Sequence, residues 1–107
     1  MKAKDILLSK CKDYSFSEGI CRYRSTGGCA CFIGAFIPND LYQPDMEGCT
    51  VGGLMRNFPN VIPFLPFGGE TFRLQRLQVT HDESRRKGVP FSSALAKAIE
   101  LLGEEEI

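Results

Sequence analysis

The chain carries no net charge, because 13 lysines and arginines balance 13 aspartates and glutamates. That balance removes the broad positive field on which non-specific nucleic-acid and anionic-membrane binding depend, so nucleic acid is not expected as a partner. Histidine is nearly absent. With His81 alone, a hydrolase that holds its metal through several imidazoles is excluded. No apolar run is long enough to span a bilayer, so no membrane association is expected. The opening residues Lys2, Lys4 and Asp5 leave only Ile6-Leu7-Leu8 between charges, which does not read as an export signal and makes the cytoplasm the expected location. The glycine pairs match neither a Walker loop nor a dinucleotide fingerprint, and no cofactor is expected.

What is present is enough for a core. At 107 residues, with 43% apolar content and eight phenylalanines, the chain reads as one globular domain over residues 1–107. Its organising stretch is Cys29-Ala30-Cys31-Phe32-Ile33-Gly34-Ala35-Phe36-Ile37, closed by Pro38-Asn39-Asp40. Cys29, Phe32, Ile33, Phe36 and Ile37 recur at the spacing of one helical face, which predicts a buried central helix. The competing reading is a hairpin, in which Ile20–Arg24 pairs with this run across Ser25-Thr26-Gly27-Gly28.

About four other helices are expected around it, giving a mainly α fold with at most one short β-hairpin near residues 20–32. The first runs from Ala3 to Tyr14 and ends at Ser15–Gly19, with Gly19 available for a left-handed turn. Thr50 caps a second, with Val51, Leu54, Met55 and Phe58 on one face. Pro59, Pro63 and Pro66 make residues 59–69 an extended apolar arm, laid over the core or held open for a partner. A further helix spans Glu70–His81, followed by a charged connection, Asp82–Gly88. Val89-Pro90 opens the last helix, with Phe91, Leu95, Ala98, Ile99 and Leu102 inward and Gly103 as its stop. Residues 104–107 are expected to fray, because three glutamates at a helix C-terminus oppose its dipole.

Four constellations carry potential chemistry. Cys21, Cys29, Cys31 and Cys49, with His81, supply metal-ligating atoms, but the one close pair is C-x-C inside an apolar run and no second knuckle exists. Buried packing thiols are therefore the stronger reading, and Cys29, Cys31, Cys49 and His81 remain the fallback metal set. His81-Asp82 suggests a Cys–His nucleophile if the imidazole meets Cys29 or Cys31; a core histidine beside a capping aspartate is the plainer account. Arg73, Arg76, Arg85, Arg86 and Lys87 form a basic cluster suited to carboxylate or phosphate, or else a solvated surface balanced by Asp82 and Glu83. Asp40, Asp45 and Glu47, flanked by Tyr42, lack calcium-loop spacing and read as a protein-contact loop.

Cys31-Phe32-Ile33-Gly34-Ala35, Ile37-Pro38-Asn39-Asp40, Glu47-Gly48, Leu77-Gln78 and His81-Asp82 together resemble the pattern of a group of small bacterial and phage proteins of uncharacterised activity. Their shared features are a C-x-x-G-A core element, an I-P-D-like stop and a downstream L-Q followed by H-D or N-D. Asn39 departs from that pattern at the stop. The resemblance implies a small, mainly helical fold in a phage or mobile-element setting, with no known activity. By analogy it points to a non-enzymatic binding protein that engages a host protein or a small anionic ligand, with an inhibitor of host defence such as an anti-CRISPR as one concrete form. The alternatives are a small cysteine-dependent or metal-assisted enzyme using Cys31 and His81, and a homodimer built through the Pro59–Phe67 arm.

Overall fold

The longest element of the fold is α3, Thr71–Arg86, and it packs most extensively on α4, Phe91–Leu102. The computed structural model describes residues 1–17, 20–25 and 29–107. Two shorter helices, α1 (Ala3–Lys10) and α2 (Val51–Asn57), complete the α-helical set among those residues. Strands β1 (Phe16–Ser17) and β2 (Ile20–Cys21) pair antiparallel, Phe16 opposite Cys21 and Ser17 opposite Ile20. The fold is thus mainly α, in one small domain. The turns expected at Gly19 and at Thr26-Gly27-Gly28 lie outside the described residues, as does the side chain of Cys21.

Local chemistry accounts for the helix boundaries. Glu70 caps α3 by accepting from the N–H groups of Phe72 and Arg73, each at 3.0 Å. Thr50 caps α2 by accepting from Gly53 N–H at 3.1 Å, as its position before an apolar stripe predicts. Gly103 ends α4 with a positive φ of 54°. Ala94, Ala98 and Leu102 form the buried stripe of α4, with Phe91, Leu95 and Ile99 packed at its margins.

The central run is buried from Ala30 to Ile37, but it is not an α-helix. Its first part is extended and pairs with the preceding segment: Arg24 bridges Ala30, Cys31 N–H donates to Tyr23 O at 3.2 Å, and Ser25 N–H donates to Cys29 O at 2.9 Å. It then tightens into one 3-10 turn, Gly34–Phe36. Helical spacing misleads here because periodicity reports the contrast between a wet and a dry face. A run buried on every side has no such contrast.

Four other expectations are corrected. The first helix stops at Lys10 rather than Tyr14, and Tyr14 instead reaches across the molecule to donate to Val89 O at 2.6 Å. The proline-rich arm is coiled rather than extended: a 3-10 helix Pro59–Phe64 is followed by a tight turn over Pro66–Gly69 in which Phe67 and Gly68 take positive φ of 63° and 61°. The helix begins with Pro59, whose fixed φ suits a first helical position and whose missing N–H is not needed there. Val61, Leu65 and Pro66 are buried, so the arm closes over the core. Helix α3 continues through the expected connection to Arg86, and residues 104–107 are tied down. Ala3 N–H donates to Glu105 O at 2.9 Å, Ile107 N–H donates to Met1 O at 3.1 Å, and the Glu105 carboxylate accepts from Phe67 N–H at 3.0 Å.

Among the described residues, no helix is long and apolar enough to cross a membrane.

Candidate functional site

One face of α3 turns Leu74, Leu77 and His81 into the core, and the opposite face leaves Phe72 and Val79 exposed, at 67% and 55%. Phe72, Arg76, Val79 and Glu83 follow one another at helical spacing, so they form a continuous outer ridge. Between this ridge and α4 lies a groove of about 760 Å³, lined by Phe72, Arg76, Val79, Thr80, Lys97 and Leu101 together with Gln75 and Glu100. A smaller depression of about 300 Å³ continues from Val79, Thr80 and Lys97 to Lys87 and Val89. The groove lining mixes apolar side chains with charged ones.

Its charge is uneven. Among the described residues, Arg76, Lys87 and Lys97 make no ion pair, whereas Glu83 is already paired with Arg86. Glu100 is the one other carboxylate in the lining. The predicted basic cluster therefore divides. Arg76 and Lys87 line the groove, Arg86 is held by Glu83, and Arg73 lies over the Phe67 ring, with its guanidinium carbon 3.9 Å from the centroid. Arg85, half-buried, is absent from the groove lining. Lys97 is a groove residue that sequence reasoning missed; its place on the outer face of an amphipathic α4 was the available signal.

The acidic loop sits elsewhere. Glu47 accepts from Tyr23 N–H at 2.9 Å, from Arg24 N–H at 3.0 Å and from Tyr42 O–H at 2.6 Å. Arg24 donates to Gly34 O, Asn39 Oδ1 and Ile37 O, and lies 5.4 Å from the Tyr42 ring centroid. Glu47, Tyr42 and Arg24 thus clamp the loop to the central run. Asp40 and Asp45 remain exposed beside this clamp.

His81 is fully buried, with ring contacts to Tyr14 and Phe32. Its Nε2 accepts from Ser15 N–H at 3.0 Å. A backbone N–H can only donate, so the imidazole proton sits on Nδ1 and is donated to Asp82 Oδ1 at 2.8 Å. Cys31 is also buried; its thiol donates to Gln78 Oε1 at 3.3 Å, and its sulfur accepts from Gly34 N–H at 3.2 Å. Burial pushes that thiol up to about 12, and Cys11 likewise to about 12. Both remain protonated at neutral pH, so neither is a ready nucleophile. With both imidazole nitrogens engaged by other groups, His81 has no lone pair to offer Cys31. Cys29 and Cys49 are half-buried free thiols. Among the described residues, no three His, Cys, Asp or Glu side chains converge as a metal-binding group.

Comparison with protein families, curated proteins and solved structures finds no significant match to this chain.

Proposed function

We propose that this is a non-enzymatic binding protein whose recognition surface is the α3–α4 groove, and that its occupant is an apolar segment of a partner protein bearing carboxylates. The observation that carries the reading is the exposed pair Phe72 and Val79 set beside three unpaired cations. Exposed apolar side chains gathered in one place mark interfaces, and fixed cations select and steer a partner of opposite sign. Sequestration of the Cys31 thiol and the His81 ring argues for binding over cysteine chemistry. The resemblance to small phage proteins supplies the setting: a cytoplasmic protein engaging a host factor, with inhibition of host defence as one outcome of such binding.

The test is affinity capture from bacterial lysate with quantitative mass spectrometry, comparing the wild type with Val79→Asp, Arg76→Glu and, away from the groove, Asp40→Ala. A partner enriched by the wild type and by Asp40→Ala, and lost by both groove variants, supports the reading. Capture that all variants retain overturns it. A concentration-dependent mass abolished by Val79→Asp would assign the groove to a second copy of this chain.

A further inference from the structure

A second cavity, of about 400 Å³, opens between Tyr23, the segment Gly48–Val51 and the middle of α3. Its character is opposite to that of the groove. Its lining contains Gln75, Gln78, Val79 and Asp82 from α3, and no lysine or arginine. Asp82 is its one carboxylate, with a side chain 40% exposed.

That carboxylate is held in place from behind. His81 Nδ1–H donates to Oδ1 at 2.8 Å, and Gln78 Nε2 donates to Oδ2 at 3.2 Å. The orientation of the Gln78 amide follows from its neighbours, because Oε1 accepts from the Cys31 thiol while Nε2 faces Asp82. Ser15 N–H fixes His81 in its uncharged tautomer, so the imidazole orients Asp82 without neutralising it. Tyr23 donates its hydroxyl to Cys49 O at 2.8 Å, which leaves the oxygen's lone pairs as acceptors. Burial pushes Tyr23 and Cys31 up, and the nearby carboxylates of Asp82 and Glu47 push in the same direction. The cavity is therefore a negative, acceptor-rich hollow with an apolar side formed by Val51, Val79 and the Tyr23 ring.

We propose that this cavity binds an organic cation, a primary ammonium or guanidinium on a short apolar stem, with its charge against Asp82 and its stem over Tyr23 and Val51. An oriented carboxylate at the edge of an apolar hollow favours such a ligand twice. The ion pair forms without the cost of ordering the carboxylate, and the stem leaves water. An anion has no cation to meet here. The site does not depend on the groove reading, although Gln75 and Val79 line both hollows.

The test is a titration of the isotopically labelled protein, followed by amide shifts in NMR, with butylammonium, its uncharged counterpart butyramide, and a lysine blocked at both ends. A ligand with so few non-hydrogen atoms should bind with a dissociation constant on the order of 1 mM. The expected result is saturable shifts at Tyr23, Gln78 and Asp82 with butylammonium or the blocked lysine, but not with butyramide. Tighter binding of the blocked lysine assigns the source to a protein side chain, whereas equal binding assigns it to a free amine. Asp82→Asn should weaken the cations roughly tenfold or more while the rest of the spectrum stays folded. No saturable shift with either cation, or an equal response to butyramide, overturns the proposal. That comparison uses the wild type alone, so it decides the matter even if Asp82→Asn fails to fold.

Discussion

Gly34 sits where Tyr23 leaves no room for a side chain: a Cβ built there would lie 2.0 Å from the Tyr23 carbonyl oxygen. The obstacle is backbone, which cannot swing aside as a flexible side chain can. Gly34→Ala should therefore destabilise the fold by about 3 kcal/mol, the upper end of overpacking costs, read as a lower urea midpoint with an unchanged slope. The buried thiols make a second prediction at this scale. Folding raises Cys11 and Cys31 from an ordinary value of 9.0 to about 12. Between those values the unfolded chain loses protons that the folded chain keeps, so stability falls as pH rises. The thiols' contribution is intact below pH 9 and is lost on the way to 12, at about 1.4 kcal/mol per unit and per thiol. Stability measured against pH should fall less steeply above 9 in Cys11→Ala and Cys31→Ala than in the wild type. A slope unchanged in both variants would show that these thiols titrate normally.

At the scale of single elements, α3 depends on its start. Glu70 satisfies two N–H groups that no intrahelical carbonyl can reach. Glu70→Ala should cost about 1 kcal/mol, and amide exchange should quicken first at Phe72 and Arg73. A uniform acceleration along α3 would instead mean that the helix opens only with the whole domain. Thr50 before an apolar stripe made α2 legible, and the spacing of Leu74, Leu77 and His81 did the same for the first part of α3, whereas the Glu70 cap was not read from the sequence. The extent of α3 was not. Residues 82–86 contain Asp82, Glu83, Arg85 and Arg86 and no apolar side chain, so no apolar stripe gave a reason to continue the helix. The buried His81, the Arg86–Glu83 pair one turn apart and the packing of α4 alongside supply that reason.

For the molecule as a whole, the two ends of the chain close the structure. The Lys2–Glu106 bridge and the Glu105–Phe67 contact join α1, the chain end and the proline-rich arm. The radius of gyration, 12.4 Å, is near the value of about 13 Å expected for a compact chain of roughly this length. Deleting residues 104–107 would strand the Ala3 and Phe67 N–H groups, and should lower stability by about 1–3 kcal/mol, read by thermal melting. The charges at this junction matter less than its backbone bonds. Lys2 and the N-terminal amine hold Glu104 and Glu106 below the usual carboxylate range. That contribution is present at neutral pH and is lost as pH falls through their lowered values. Because both glutamates are fully exposed, replacing them with glutamine should change the melting temperature far less than the deletion does.

Sequence alone determined the helical class, the cap at Thr50, the span of α4 and the burial of the Ala30–Ile37 stretch. Each is a local property, written in apolar spacing, capping residues or the density of large side chains. Tertiary contact decided the rest. It turned the central stretch from a helix into an extended, bridged segment and a 3-10 turn, because its backbone finds partners in Tyr23–Ser25. It also split one basic cluster into structural and exposed members, and it set Asp82 against His81 and Gln78 beside a hollow shared with Tyr23. Residues far apart in the chain meet there, and their spacing in sequence carries no trace of it.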